Sequence, residues 1–82
     1  MFVQKIKQDL AIGQNIRRLR IEAHLTQEQV IAKLQVAGCS TTRSIYSQIE
    51  GGTYNIRVSE LIALTEIFDT DFNAFFEGIV LP

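Results

Sequence analysis

Apolar residues recur along this chain at spacings of three and four, the period of helices that bury one face. Over residues 9–22, Leu10, Ile16, Leu19 and Ala23 fall near that spacing, with Arg17, Arg18 and Arg20 between them. Phe2, Val3 and Ile6 either extend this helix or belong to an N-terminal arm over residues 1–8. Thr26 is a strong N-cap type and Gln29 follows at capping-box spacing, which predicts a second helix to about Gln35 with Val30, Ile31 and Leu34 facing inward. Residues 36–41 read as a connection in which Gly38 can take a left-handed backbone conformation. Ser40, Thr41 and Thr42 can each cap a third helix, expected from about Thr42 to Glu50 and ended by Gly51 and Gly52. After a loop at 53–57, Val58, Leu61, Leu64 and Phe68 mark a fourth helix starting near Val58. Thr70 or Asp71 then caps a short fifth helix carrying Phe72, Phe75 and Phe76. Strict alternation never persists and no hairpin signal separates two β-rich runs, so the expected class is all-α.

Length limits this to one domain, since 82 residues are too few for two. The expected domain is 1–82, with its core at 9–79. With 46% hydrophobic and 21% charged residues, the chain has enough apolar material to fold. No apolar run approaches the roughly 18–20 residues that span a bilayer, and the first residues hold no apolar stretch of signal-peptide length. A soluble cytoplasmic protein without membrane contact is therefore expected. Cys39, the one cysteine, has no internal disulfide partner, and zinc-type Cys/His spacing is absent. The chain also lacks a nucleophile–base pattern and a phosphate-cradling loop with its lysine, which argues against an enzyme and against a bound metal or cofactor. His24 reads as a surface residue and Cys39 as a packed loop thiol.

The net charge of −1 weighs against a nucleic-acid partner until its distribution is considered. All eight basic residues lie in 1–57, where they face only Asp9, Glu22, Glu28 and Glu50. Residues 58–82 hold five acids and no base. Such an asymmetry lets the first two-thirds face phosphate while the remainder faces away.

Three segments together carry a family resemblance: Ile12-Gly13-Gln14-Asn15-Ile16-Arg17-Arg18-Leu19-Arg20, Leu25-Thr26-Gln27-Glu28-Gln29-Val30, and Arg43-Ser44-Ile45-Tyr46-Ser47-Gln48-Ile49-Glu50-Gly51-Gly52. In that order they resemble the Cro/lambda-repressor (XRE-like) type of helix-turn-helix DNA-binding domain. Leu61-Ile62-Ala63-Leu64 and Phe68-Asp69-Thr70-Asp71 resemble its fourth and fifth helices. The likeness covers about residues 9–79 and implies a five-helix, lambda-repressor-like fold. Three features depart from the pattern, the slightly acidic total charge being one. The connection between the second and third helices is longer than the usual tight turn, as in a longer-turn subgroup of bacterial regulators. Gly51 stands where Asn or Arg is commoner, which removes a candidate phosphate contact.

The resemblance implies a sequence-specific, double-stranded-DNA-binding transcriptional regulator, a repressor by analogy, that reads the major groove with helix 42–50. Its base-reading residues would be Thr42, Arg43, Ser44, Ser47 and Gln48. Arg43 can bond guanine O6 and N7, and Gln48 can bond adenine N6 and N7. Thr26 and Gln27, at the start of the second helix, carry over as phosphate ligands, with Arg17, Arg18, Tyr54, Asn55 and Arg57 as further phosphate candidates. Arg20 and Glu50 match positions that form a partly buried ion pair between the first and third helices. The inward face of the third helix has two solutions. Either Tyr46 packs inward and Ile45 is left near DNA, or Ile45 packs inward and Tyr46 reaches a phosphate. The apolar end of the chain (Phe72, Phe75, Phe76, Ile79, Val80, Leu81) exceeds what one small core needs. It suggests a homodimer on two half-sites, with a neighbouring domain as the other occupant of that surface. The competing function is a protein-interaction or antitoxin-like module on the same fold.

Overall fold

The computed structural model describes residues 12–79; the expected arm at 1–8, Leu10, Val80 and Leu81 lie outside that range. Four α-helices follow one another: α1 (Ile12–Glu22), α2 (Gln27–Val36), α3 (Arg43–Gly51) and α4 (Val58–Ile67). A 3-10 helix at Phe72–Phe76 follows them. No strand occurs among the described residues. The short fifth helix expected after Thr70 or Asp71 is thus a 3-10 turn rather than a fifth α-helix. Asp71 caps it through Ala74 N–H (3.2 Å), and Gly78 turns the chain with a φ of 77° soon after. Six residues between such stops leave little room for a stable α-helix, and the tighter 3-10 form is normal for so short a piece.

Local chemistry explains the helix ends. The Thr26 hydroxyl accepts from Gln29 N–H (3.1 Å) and the Gln29 amide oxygen accepts from Thr26 N–H (2.8 Å), a reciprocal capping box. Thr42 caps α3 by accepting from Ile45 N–H (3.1 Å). At its other end, α3 closes on Gly52 in the left-handed conformation, with Thr53 N–H returning to the Gln48 carbonyl. The connection 37–42 turns at Gly38, whose φ is 96°.

The core takes Ile12, Ile16 and Leu19 from α1, Val30, Ile31 and Leu34 from α2, and Tyr46 and Ile49 from α3. Ala63, Leu64, Phe68 and Phe75 close it from the C-terminal side. Along α4 the buried face differs from the expected one. Val58 is 70% exposed, and the inward position of that first turn belongs to Glu60. α3 packs on α1 and α2, whereas the 3-10 helix packs on α1 and α4. Asn15 fastens that last contact, donating its amide to the carbonyls of Phe75 (2.8 Å) and Glu77 (3.0 Å). The acidic C-terminal segment is therefore anchored to elements other than the outer face of α3. No helix among the described residues is long and apolar enough to cross a membrane.

Candidate nucleic-acid interface

α3 divides cleanly into two faces. Tyr46, Ile49 and Glu50 are buried, while Arg43, Ser44, Ser47 and Gln48 are exposed, as is Thr42 at the cap. The exposed set shares one side of the helix and offers the donors and acceptors that base edges recognise. Gln48 donates weakly to the Ser44 hydroxyl (3.5 Å). The inward side is taken by Tyr46, which is fully buried. Ile45 lies between the two faces. It is half-buried and lines a recess of about 110 Å³ with the 38–40 turn, Tyr54, Arg57, Ser59 and Glu60. Of the two solutions for the inward face, the structure takes the one with Tyr46 inside.

The back of α3 is fixed by a buried ion pair. Arg20 Nε donates to Glu50 Oε2 (2.6 Å) and Arg20 Nη2 to Glu50 Oε1 (3.2 Å), a two-pronged contact between α1 and α3. Arg20 Nη1 also donates to the Leu25 carbonyl (3.0 Å), tying in the turn before α2. Gln27 Nε2 completes the arrangement by donating to Glu50 Oε1 (3.0 Å). Burial penalises the Glu50 carboxylate, but the bonds from Arg20 and Gln27, with the Tyr46 hydroxyl beside them, outweigh it and hold its pKa below the ordinary carboxylate value. The Glu50 contact correspondingly raises Arg20 further above its usual value.

The remaining candidates separate into two groups. Thr26 is exposed, and its hydroxyl keeps a proton to donate beyond the cap it makes. Gln27 spends one of two amide protons on Glu50. Tyr54, Asn55 and Arg57 follow α3, and Tyr54 and Arg57 share the recess with Ile45, so this loop borders α3. Asn55 and Arg57 are exposed, and so is Arg17 on α1. Arg18 stands apart. It faces Glu22 (3.4 Å), Glu77 (3.6 Å) and the Asn15 amide oxygen (3.5 Å), on the side of α1 covered by the 3-10 helix. Its charge is committed there rather than beside α3.

A capped second helix, a connecting turn and a third helix with one exposed polar face are the elements of a helix-turn-helix. A family model described as "Helix-turn-helix domain" matches residues 11–73, spanning α1 to α4 and the start of the 3-10 helix. The chain belongs to the helix-turn-helix domain family. A search of curated proteins and a search of solved structures each returned no match.

Three residues shape this helix-turn-helix in ways its sequence pattern did not reveal. Gly13 lies where α1 crosses α3, and a Cβ there would meet the Ile49 and Glu50 carbonyl oxygens at 2.6 Å. Glu60 and Thr41 fix the long turn. The buried Thr41 hydroxyl donates to Glu60 Oε2 (2.7 Å), and Glu60 Oε1 accepts from Arg57 N–H (2.9 Å). Gln35 Nε2 adds a bond to the Thr41 carbonyl (3.1 Å). The extra turn residues are thereby stitched to the start of α4, which sets where α3 begins. The only signal for this in the sequence was a glutamate three residues into a helix.

Tyr46 fills the core and brings its hydroxyl beside the Arg20–Glu50 pair. The oxygen is buried near Glu50 and Arg20, and burial first, then Glu50, push its pKa far up.

Proposed function

We propose that this helix-turn-helix domain is a sequence-specific transcriptional regulator that inserts α3 into the major groove. The observation that carries the reading is the split face of α3. Thr42, Arg43, Ser44, Ser47 and Gln48 are all exposed, while Tyr46, Ile49 and the Arg20–Glu50 pair hold the opposite side. Arg43 and Gln48 read base edges, and the three hydroxyls bond bases or phosphate at close approach. Thr26, Gln27, Arg17, Tyr54, Asn55 and Arg57 contact the backbone and fix the register. The family resemblance favours repression. Two half-sites about 34–36 Å apart would take a homodimer. Phe72 and Phe76, 47% and 51% exposed beside the C-terminus, favour that end as the contact between copies.

Arg43→Ala should weaken binding to the preferred site by roughly 1–3 kcal/mol and relax preference at one base pair. Arg57→Ala should weaken every sequence alike and flatten the salt dependence. Fluorescence anisotropy on preferred and random duplexes checks both, and equal losses for the two variants on both duplexes would remove base reading by Arg43.

The overall charge of −1 and the bare Gly51 favour a second reading, a protein-interaction or antitoxin-like module. Salt separates the two. Affinity of a DNA reader falls as salt rises, with a logarithmic slope of about −0.9 per phosphate neutralised. An interaction module shows no such slope on duplex DNA.

A further inference from the structure

Glu28 is out of place on a DNA-facing edge. It sits in the first turn of α2, next to Gln27, where an unneutralised carboxylate would oppose the phosphates. The helix dipole accounts for an acid near this end but not for where the side chain goes. Its Oε1 accepts from Arg43 Nη1 at 2.7 Å, across the gap between α2 and the first residue of α3. Both side chains are highly exposed, 73% and 69%, so in water the contact adds little to stability. Its effect appears elsewhere. A free arginine on a helix surface samples many rotamers, and each rotamer-rich side chain ordered on binding costs affinity.

We infer that Glu28 is a positioning residue for base recognition, which holds the Arg43 guanidinium in the orientation that meets a guanine edge. The inference rests on the base-reading role proposed for Arg43. Guanidinium chemistry permits both contacts at once. Arginine carries five N–H donors in a fixed fork, and Glu28 engages one nitrogen, leaving donors on Nη2 and Nε for O6 and N7. Entry into the groove excludes water from the pair, and the attraction between the two charges strengthens as the local dielectric falls. Arg43 in turn neutralises Glu28, so the carboxylate opposes the phosphates less than an unpaired one.

Opposite signs in one experiment distinguish this role from simple charge repulsion. The full chain, wild type and Glu28→Gln, is titrated against three duplexes: one enriched from a random pool by the wild type, the same duplex with the guanine read by Arg43 replaced, and a random duplex. The same pair of chains is prepared in the Arg43→Ala background. Glu28→Gln should reduce the preference for guanine at that position about two- to tenfold while affinity for random DNA stays level or rises. In the Arg43→Ala background it should leave the preference unchanged. Thermal unfolding should barely move, because the pair is exposed. Affinity that rises equally on all three duplexes overturns the inference and leaves base reading by Arg43 intact. A wild type with no preference that Arg43→Ala removes overturns both, and does so before Glu28 is altered.

Discussion

Arg20→Ala should lower the stability of the domain by about 3–5 kcal/mol, because it strands a buried carboxylate. Glu50 keeps only 4% of its side-chain surface exposed and Arg20 only 12%. Removing the guanidinium leaves the Gln27 amide as the one remaining donor with good geometry to Glu50 among the described residues. Ordinary domains have about 5–15 kcal/mol in total, and one this small belongs near the lower end, so the variant approaches unfolding at room temperature. The pH dependence identifies the cause. Glu50 has a folded-state pKa below its ordinary 4.5. The stability linked to that shift is fully present above the unfolded carboxylate value, and it is lost as pH falls through the lower folded value. The gap between wild type and Arg20→Ala should therefore be widest near neutral pH and narrow on the acid side of 4.5. Urea unfolding at both ends of that range measures it. A gap independent of pH would attribute the loss to the packing of the arginine stem instead.

Gly13→Ala should destabilise the domain by about 1–3 kcal/mol, against the usual helical preference for alanine of about 0.5–1 kcal/mol. The new Cβ meets backbone, the carbonyl oxygens of Ile49 and Glu50 at 2.6 Å, so no side chain can rotate away. α3 must shift, and the bond geometry of Arg20 with Glu50 shifts with it. Gly51 supplies the control. It lies in the last turn of α3 with nothing within 4 Å of its Cβ direction, so Gly51→Ala should gain about 0.5–1 kcal/mol. Urea unfolding of the two variants side by side should give opposite signs. Equal gains would show that α1 and α3 do not cross as closely as described.

Features written in short-range chemistry were legible from the sequence. The capping box at Thr26 and Gln29, the αL turn at Gly38, the stop at Gly52 and the inward triplet Val30, Ile31 and Leu34 each depend on residues a few positions apart. The span of α3 was equally legible, because a cap and a glycine bracket it. What escaped depends on contacts between elements. Glu60 counted as one of five acids in an acidic tail, and only its meeting with Thr41 makes it a buried acceptor. Val58 fitted a helical spacing, yet the first turn of α4 turns Glu60 inward and leaves Val58 in water. The choice between Ile45 and Tyr46 needed the recess under the 38–40 turn, and Gly13 needed the crossing of α1 over α3. On the outer face of α3 the residues were readable, but the Glu28–Arg43 contact joins positions fifteen apart and shows no periodicity.

The most direct test of the account is selection of bound duplexes from a random-sequence pool, run in parallel with the wild type and Arg43→Ala. The wild type should enrich a short motif with a guanine in each half-site, and Arg43→Ala should enrich the same motif with that one position relaxed. A pool that gains no sequence preference through repeated rounds with the wild type would contradict the reading of DNA by α3.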